Sequence, residues 1–412
     1  AASGVAFSAG YVTAPICSPS RAGLITGRYQ ERFGYDLQPG DHYPMNRLEI
    51  LGGNALFFVA SSFRCLQGDF VGKYQTRYPT PAAAAAQGLP LSELTFAELA
   101  KTQGYATAVI GKWHLGTGPG QHPLERGFDY HFGFYGAATM YAPAGAGDMV
   151  ETPYSDRTGT FLWVTRERQR IRNGQPVEDN AFLTERLAEE SVAFIEQHHD
   201  QPFLLYVPFN APHTPFHVPK QYFDRFPNER DETKRVYYGM IGALDDAIGR
   251  IVQQVRDAGL EENTLFFFAS DNGGAAYTGV TDNKPLKGGK LAHFEGGVNV
   301  PFVMSWPGKV TPGQEYRDPV ISLDIFATIA KALQAPLPQD REYDGVDLVD
   351  AVSRGVPAHD ALYWRAGDSK AIHKGTWKLV ISAYNGEKWL YDLSKDVSEA
   401  KDLKAQHPEV VA

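Results

Sequence analysis

The chain has 412 residues, of which 43% are hydrophobic and 21% are charged, and this composition is typical of a globular protein. Its 39 basic and 48 acidic residues give a formal net charge of −9, which argues against a general nucleic-acid binder because such proteins present a basic surface. No apolar run reaches the length of about 18 residues that a transmembrane helix needs, so the sequence predicts no membrane span. No signal peptide is visible either.

Along the chain, the first distinctive segment is residues 16–28, ICSPSRAGLITGR, which brings a cysteine, a proline and an arginine within five positions. Cys17 and Cys65 are the two cysteines of the chain, too few for a disulfide framework. Before other motifs are considered, a small buried hydrophobe is the usual role of a residue such as Cys17. Its place beside Pro19 and Arg21 raises the alternative of a chemical role.

Three segments then repeat an amphipathic helix followed by an apolar strand. In residues 94–111, LTFAELAKTQGYATAVIG, the residues Thr95 and Glu98 have the spacing of a capping box at a helix start. Gly104 predicts the end of that helix, and YATAVI predicts the strand that follows it.

The second and third repeats lie at residues 182–209 and 240–274. The predicted helical face of the second comprises Leu183, Leu187, Phe194 and Ile195. The predicted stripe of the third comprises Ile241, Leu244, Ile248, Ile251 and Val255. The third helix pattern is followed by TLFFFAS, which is apolar on both faces, as strands of a parallel sheet are.

This alternation predicts an α/β protein with a mainly parallel central sheet sandwiched by helices. Ligands bind beyond the carboxyl ends of the strands in such sheets, so polar residues at those ends are the candidate site. Three strand ends supply them, namely Lys112 and His114 after the first, His213 after the second, and Asp271 with Asn272 after the third.

The C-terminal part has a different pattern. A predicted helix at residues 322–334 is followed by a proline-rich stretch and three strand-like runs, ALYWRA, TWKLVIS and KWLYDL. We therefore expect one main domain over residues 1–350 and a small α+β subdomain with antiparallel strands over residues 351–412. Residues 51–90, which include the low-complexity run PAAAAAQGLP, suggest only an insertion or a subdomain.

Several segments resemble, in order, the signatures of the type I sulfatases of the alkaline phosphatase superfamily. CSPSRAGLITGR resembles the first signature and GYATAVIGKWHLG the second. Further family segments are similar to APHTPFHVP, SDNGG and NKPLKGGKLAHFEGGVNVPFVMSWPGKV, and the family's C-terminal ending is similar to WLYDLSKDVSEAKDL. The resemblance covers nearly the whole chain, and it implies an alkaline-phosphatase-like fold and the hydrolysis of sulfate esters.

In that family, the cysteine of the first signature is oxidised to formylglycine by a formylglycine-generating enzyme, which reads the neighbouring proline and arginine. The resemblance therefore implies this modification of Cys17, and that enzyme as a partner during maturation. The hydrated aldehyde has two hydroxyls on one carbon. One can attack sulfur, and the other can then expel sulfate and restore the aldehyde.

Asp271 and Asn272 are the candidate metal ligands of the chain. Taken alone, Asp-Asn-Gly-Gly favours a turn. The place of the two residues after an apolar strand, together with the resemblance, instead implies a hard divalent cation. The family's ion is Ca²⁺, with Mg²⁺ as the alternative. The resemblance also implies that the group at Cys17 is a further ligand of this ion.

The candidate cations are Arg21, Lys112 and Lys290, and the candidate acid–base pair is His114 and His213. Most Lys and Arg side chains are solvated surface charges, and a lone histidine is usually a packing residue. The resemblance implies instead that Arg21 and Lys112 hold the formylglycine and its bound group, while Lys290 contacts the sulfate. It also implies His114 as the base that drives sulfate release, and His213, with Lys290, as the donor to the leaving alcohol.

The start of the sequence departs from the family pattern. Family members begin with an apolar strand that ends in two adjacent metal-binding aspartates, whereas this sequence opens on AASGVAFSAGYVTAP. Its Asp245–Asp246 pair lies in a helix pattern and is a poor substitute. We therefore expect a catalytic domain without its first strand, from a fragment or a degraded relative, and the intact remaining segments favour the fragment.

The sequence thus predicts a sulfatase that hydrolyses a sulfate monoester of a sulfated carbohydrate or small molecule. The enzymatic alternatives are an arylsulfatase and a phosphonate or phosphodiester hydrolase of the same superfamily. A non-catalytic glycan-binding relative, or an inactive fragment, with an unmodified Cys17 is the alternative from another class. The resemblance also implies a periplasmic or extracellular location.

Overall fold

The structure is a computed structural model, and it describes residues 3–36, 88–143, 146–152, 169–367, 369–382 and 386–412. All structural statements below refer to these residues. The segment 51–90, for which the sequence suggests an insertion or a subdomain, lies outside them except for residues 88–90. Cys65 lies outside them as well.

The described residues form nine α-helices. In chain order they are α1 (Cys17–Thr26), α2 (Phe96–Thr102), α3 (Leu183–Gln197), α4 (Lys220–Phe223), α5 (Glu232–Asp257), α6 (Glu295–Val298), α7 (Leu323–Ala332), α8 (Leu348–Arg354) and α9 (Pro408–Val411). None of the helices in these ranges combines the length and the apolar character that a membrane crossing requires.

The strands of the described residues number seventeen. They are β1 (Val5–Phe7), β2 (Gly10–Tyr11), β3 (Ala106–Lys112), β4 (Tyr130–Phe134), β5 (Met149–Glu151), β6 (Arg170–Arg172), β7 (Gln175–Val177), β8 (Phe203–Tyr206), β9 (His217–Pro219), β10 (Phe266–Ala269), β11 (Phe302–Ser305), β12 (Gln314–Tyr316), β13 (Val320–Ile321), β14 (Ala361–Ala366), β15 (Ser369–Lys374), β16 (Trp377–Ile381) and β17 (Lys388–Asp392).

Strand β3 lies at the centre of the architecture. It pairs in parallel with β4 on one side and with β8 on the other, within a five-stranded sheet of order β7-β6-β4-β3-β8. Ala108 and Ile110 pack into a core with side chains of α3 and α5, whereas Val109 packs into a second core with side chains of α1, α2 and α7. Helices therefore cover both faces of this strand, as the sequence predicts for an α/β fold.

Helix α2 confirms the local prediction made from its sequence. The Thr95 side chain accepts a hydrogen bond from the backbone N–H of Glu98, and the Glu98 carboxylate accepts one from the Thr95 backbone N–H at 2.8 Å. This capping box satisfies backbone donors that a helix start leaves unpaired. Gly104 follows the helix with a φ of 77°, in the left-handed region that glycine favours.

The predicted stripe of α5 is wrong in its first member. Ile241 is 42% exposed, and the buried line of this helix includes Met240, Ala243 and Ala247, with Ile251 and Val255 following them. The prediction placed large aliphatic residues in the stripe and passed over the alanines. Helices α3 and α5 pack directly against one another, and small side chains at such a contact let two helices approach closely.

The prediction for TLFFFAS also needs correction. Its strand β10 pairs antiparallel with β11 and is the edge strand of a four-stranded sheet of order β10-β11-β1-β12. All four residues of β10 are half-buried, not fully buried. Strand β8, at the edge of the other sheet, is half-buried along its whole length too. An edge strand has a neighbour on one side only, which explains the exposure of both.

The C-terminal part forms a four-stranded antiparallel sheet of order β14-β15-β16-β17. The three predicted strand runs correspond to β14, β16 and β17, and β15 is a strand that the sequence did not suggest. The sheet contacts the rest of the chain. For example, the Trp364 indole N–H donates to the backbone oxygen of Val12 at 2.7 Å. The division into domains at residue 350 stays a prediction.

Candidate active site

Five structural elements bring the predicted site residues together. Cys17 is the first residue of α1, and Lys112 is the last residue of β3. His114 follows Lys112 with a φ of 57°, and Asp271 comes two residues after the end of β10. His213 lies in the connection from β8 to β9, and Lys290 lies in the segment before α6.

The Cys17 thiol is buried in a positively charged environment. Its side chain is 2% exposed, and the Lys290 ammonium donates a hydrogen bond to its sulfur at 3.1 Å. Burial alone would raise the pKa of the Cys17 thiol. The charges of Lys112 and Lys290, with interactions from His114 and His213, outweigh burial and hold that pKa well below its usual value. Position 17 is thus suited to an anionic or strongly polarised group.

Arg21 joins the start of α1 to the end of β10. Its Nε and Nη2 atoms contact the Asp271 carboxylate at 2.9 and 2.8 Å, and its Nη1 donates to the backbone oxygen of Lys112 at 3.0 Å. Burial opposes the charge of the guanidinium, but Asp271 keeps the pKa of Arg21 raised. One arginine therefore fixes the relative positions of two other predicted site residues, Asp271 and Lys112.

Lys112 is a buried lysine, with 1% of its surface exposed. Burial lowers its pKa, while the neighbouring Cys17 and Asp271 favour the charged form and Arg21 disfavours it. The sequence alone offered a solvated surface charge as the ordinary explanation for such residues. The structure excludes that explanation, because Arg21, Lys112 and Lys290 are all buried.

His114 and His213 interact with the Cys17 thiol from different elements. Burial and the charge of Lys112 lower the pKa of His114 to about 3, so its imidazole is neutral at physiological pH. The Nε2 atom of His213 lies 3.2 Å from the Lys290 ammonium, and its Nδ1 lies 2.8 Å from the backbone oxygen of Thr214. Burial and Lys290 lower the pKa of His213 as well.

Only part of a metal shell is present among the described residues. Asn272 has a buried side-chain oxygen without a hydrogen-bond partner, as expected of an atom that binds a cation. One oxygen of Asp271 already accepts from Arg21. Within the described ranges there is no group of three or more His, Cys, Asp or Glu side chains arranged to hold a metal ion. These residues therefore do not form the shell of about six to eight oxygens that Ca²⁺ prefers.

Two further features of the sequence, the Asp245–Asp246 pair and His217, are not among the residues that surround Cys17. The Asp246 carboxylate pairs with Arg225 at 2.7 Å on the exposed face of α5, so the Asp245–Asp246 pair is a surface feature. His217 is buried in β9, where its Nε2 accepts a hydrogen bond from the Tyr141 backbone N–H at 3.3 Å.

Two tyrosines that the sequence analysis missed complete the surroundings. Tyr206 is the last residue of β8 and lies near Arg21 and Asp271. Burial and Asp271 raise the pKa of its hydroxyl, and Arg21 lowers it. Tyr277 contributes to the raised pKa of Lys290. The rule that polar groups at strand ends form the site could have found Tyr206. Nothing in the sequence pattern indicated Tyr277.

The chain matches a known family and individual members of it. A family model described as Sulfatase matches residues 57–335, a range that contains every predicted site residue except Cys17 and Arg21. The N-acetylgalactosamine-6-sulfatase of Mus musculus is 29% identical over 393 residues, covering 92% of this chain and 65% of the relative. The uncharacterized sulfatase YdeN of Escherichia coli (strain K12) is 29% identical over 476 residues, with 99% and 72% covered.

A solved structure agrees with these sequence matches. The crystal structure of Ps i-CgsB in complex with k-i-k-neocarrahexaose is similar with a TM-score of 0.80 and 28% sequence identity. The similarity covers 100% of this chain and 83% of that one. The predicted alkaline-phosphatase-like α/β fold is thereby confirmed. On the sequence and structural matches together, the chain belongs to the sulfatase family, in its type I group within the alkaline phosphatase superfamily.

Proposed function

We propose that the protein hydrolyses a sulfate monoester of a sulfated carbohydrate. The observation that carries the proposal is the buried Cys17 side chain, held by the Lys290 ammonium at 3.1 Å within a cluster of buried cations and histidines. Family membership supports the reaction. The similarity to an N-acetylgalactosamine-6-sulfatase and to a protein solved with k-i-k-neocarrahexaose supports a carbohydrate substrate.

The charges of the site suit this chemistry. A sulfate monoester places negative charge on oxygens that Lys112 and Lys290 can contact, and fixed cations in a buried site stabilise such charge strongly. Lys290 has a raised pKa and stays protonated, so that it can donate toward the leaving oxygen. The His213 Nε2 atom lies beside that ammonium. His114 is neutral and can accept a proton on the other side of Cys17.

The proposal includes the maturation that the family resemblance implies. A formylglycine made from Cys17 by a formylglycine-generating enzyme would carry two hydroxyls on one carbon when hydrated. One hydroxyl would be the nucleophile that attacks sulfur, and the other would expel the sulfate. We include Ca²⁺, with Mg²⁺ as the alternative, of whose shell Asp271 and Asn272 would hold part. A periplasmic or extracellular location, and a catalytic domain over residues 1–350 with a subdomain over residues 351–412, belong to the same proposal.

A phosphonate or phosphodiester hydrolase is the second candidate function, because fixed cations around a nucleophile stabilise phosphoryl oxygens as well. An arylsulfatase would show the same selectivity for sulfate but would prefer aromatic leaving groups. Turnover of para-nitrophenyl sulfate, of bis(para-nitrophenyl) phosphate and of a sulfated sugar, measured side by side, ranks the three.

The experiment that tests the proposal is Cys17→Ala. We expect the variant to lose more than about a thousandfold in turnover of sulfate esters, on the scale of removing a catalytic nucleophile. Cys65→Ala is the matched control for the loss of a thiol, and it should keep the parental rate. Mass spectrometry of the Cys17 peptide from active protein should show the lighter formylglycine.

Two results would contradict the proposal. Sulfate-ester hydrolysis by Cys17→Ala at the parental rate would remove Cys17 from the chemistry. A peptide carrying only cysteine, from protein that binds sulfated glycans without turning them over, would instead favour the non-catalytic glycan-binding relative.

A further inference from the structure

A cleft adjoins the candidate active site at Lys290, which is one of its lining residues. It has a volume of about 440 Å³ and is lined by residues 276–277, 282–290 and 398–400. This volume falls within the range of about 300–1,000 Å³ that is typical of small-molecule sites. Two walls of the cleft belong to the segment that precedes α6, and the third belongs to the C-terminal segment that follows β17.

The cleft and the reaction centre share residues. Lys290 lines the cleft, and its ammonium contacts both the Cys17 sulfur at 3.1 Å and His213 Nε2 at 3.2 Å. Tyr277 also lines the cleft, and its proximity to Lys290 contributes to the raised pKa of that ammonium. A substrate whose sulfate lies at Cys17 would therefore extend past Lys290 and Tyr277 into the cleft.

The wall of the cleft is basic. Besides Lys290 it contains Lys284 and Lys287. The Lys287 ammonium donates to the Tyr391 hydroxyl at 3.0 Å and lies 4.3 Å from the centroid of the Phe294 ring. An aromatic ring and a hydroxyl are thus among the groups that hold this cation in a defined position.

The two carboxylates of the cleft lining have cations of their own. Asp282 lies 3.2 Å from Lys284 on the exposed rim. Glu399 lies 3.3 Å from the buried Lys378, which is outside the cleft lining. The lining therefore combines three ammonium groups with two carboxylates, of which Glu399 is already paired with a fourth lysine.

We propose that this cleft is a subsite for a second anionic group of the substrate, carried by the sugar that adjoins the one at Cys17. The substrate class is then a glycan with sulfate on neighbouring sugars, and Lys287 is the cation that recognises the second sulfate. The inference rests on the proposed function, because it takes the reacting sulfate to lie at Cys17. Tyr277 supplies an aromatic wall against which a sugar ring can pack.

Binding to the inactive Cys17→Ala protein tests the subsite without turnover. The probes are a chondroitin disaccharide sulfated at O6 of its hexosamine and the same disaccharide with a second sulfate at O2 of its uronic acid. At low ionic strength we expect the disulfated probe to bind about tenfold more tightly, which is the effect of one additional charge-assisted contact. That preference should decline as salt is added.

Variants of the cleft locate the preference. In the Cys17→Ala background, Lys287→Met should lower the affinity ratio of the two probes toward one, and Lys287→Arg should restore it. Lys284→Ala should lower the affinity ratio too. Because Lys284 is exposed, this variant replaces Lys287→Met in the test if Lys287→Met folds poorly. Lys309→Ala is the matched control, because the Lys309 ammonium also lies over an aromatic ring, that of Trp306. Lys309 follows β11, at the opposite end of the sheet from the candidate active site.

The outcomes separate the subsite from the proposed function. A ratio that survives both Lys287→Met and Lys284→Ala, or one that Lys309→Ala lowers equally, would overturn the subsite. Release of sulfate from the O6-sulfated disaccharide and from para-nitrophenyl sulfate, by the protein with Cys17 intact, decides the proposed function separately. A lysine-dependent ratio without any such turnover would keep the cleft as an anion site and reject the sulfatase proposal.

Discussion

The charges around Cys17 have a high energetic cost that folding alone does not explain. Arg21, Lys112 and Lys290 are all buried. The Asp271 carboxylate contacts Arg21 and favours the charged forms of Lys112 and Lys290. Burying like charges together disfavours folding, because each loses its hydration and repels the others. Such an arrangement is typical of a site that binds an anion, where the ligand restores the balance of charge.

The two histidines should act on different sides of the reaction. His213 lies beside the protonated Lys290, whereas His114 is neutral and approaches Cys17 from β3. We expect the loss of turnover in His213→Ala to grow as the leaving alcohol becomes more basic, because poor leaving groups depend most on proton donation. In His114→Ala the loss should be nearly the same for all leaving groups. Rates for a series of substituted aryl sulfates measure both dependences.

Each histidine variant is the control for the other. If both show the same dependence on the leaving group, the division of roles is wrong. A loss in His114→Ala that grows with leaving-group basicity would assign proton donation to His114 and reverse the roles.

Individual residues of the site could be predicted as far as short motifs carry information. The motif around Cys17 and the strand-end positions of Lys112 and Asp271 were sufficient to select them as candidates, and the structure brings them close together. The burial of Cys17 agrees with the usual place of a cysteine, but its contact with a buried ammonium was not predictable. The ammonium belongs to Lys290, which is 273 positions away in the sequence, and no local pattern reports such a contact.

At the scale of elements, a buried ion cluster joins helix α6 to the C-terminal sheet. The Lys378 ammonium of β16 donates to Glu295 at 2.6 Å and lies 3.3 Å from Glu399, and all three side chains are fully buried. The Glu295 backbone N–H donates to Glu399 at 2.7 Å, and its carboxylate accepts from Tyr11 at 3.0 Å. Because Glu295 begins α6, five positions after Lys290, the cluster anchors the lysine segment of the site.

We expect Lys378→Met to destabilise the protein by about 3–5 kcal/mol, because it leaves two buried carboxylates without their cation. Lys374→Met, at an exposed position of the neighbouring strand β15, is the matched control and should change stability by less than about 0.5 kcal/mol. Urea unfolding at neutral pH measures both.

The cluster has a second consequence for Lys290. Since α6 holds the segment in place, a folded Lys378→Met protein should also bind inorganic sulfate more weakly than the control. Equal stability of the two lysine variants would show that the buried charges are not coupled, and the anchoring role would be wrong.

Elements were predictable where their determinants are local. The capping box of α2 is formed by residues three positions apart, and the sequence predicts it correctly. The partner of β10 was not predictable, because its pairing with β11 joins residues more than thirty positions apart, such as Ala269 and Phe302. Strand β15 was missed for a different reason: its partners β14 and β16 are its neighbours in the chain, but its sequence SKAIHK lacks the apolar run that predicts a strand.

At the scale of the whole molecule, the net charge and the charge of the site have opposite signs. The chain carries −9, yet its carboxyl-end edge collects Arg21, Lys112 and Lys290 around Cys17. A local positive potential in an acidic protein directs an anionic ligand to one place and disfavours its binding elsewhere. The fold achieves this because helix α1, the end of β3 and the segment before α6, which are distant in sequence, meet around Cys17.

This balance of charge predicts that the chain prefers an anion to a cation. Asp271 and Asn272 provide few of the about six to eight oxygens that Ca²⁺ prefers, and the nearby cations repel the ion. In calorimetric titrations of this chain we expect Ca²⁺ to bind with a Kd above about one micromolar. In urea unfolding, inorganic sulfate at about a hundred times its Kd should raise the unfolding free energy by about 2.7 kcal/mol. Lys290→Met should remove most of the effect of sulfate, and Lys309→Met should not. A stoichiometric, sub-micromolar Ca²⁺ site would contradict this prediction. It would mean that residues of the chain other than Asp271 and Asn272 complete the Ca²⁺ shell, and that their negative charge offsets the charges of Arg21, Lys112 and Lys290.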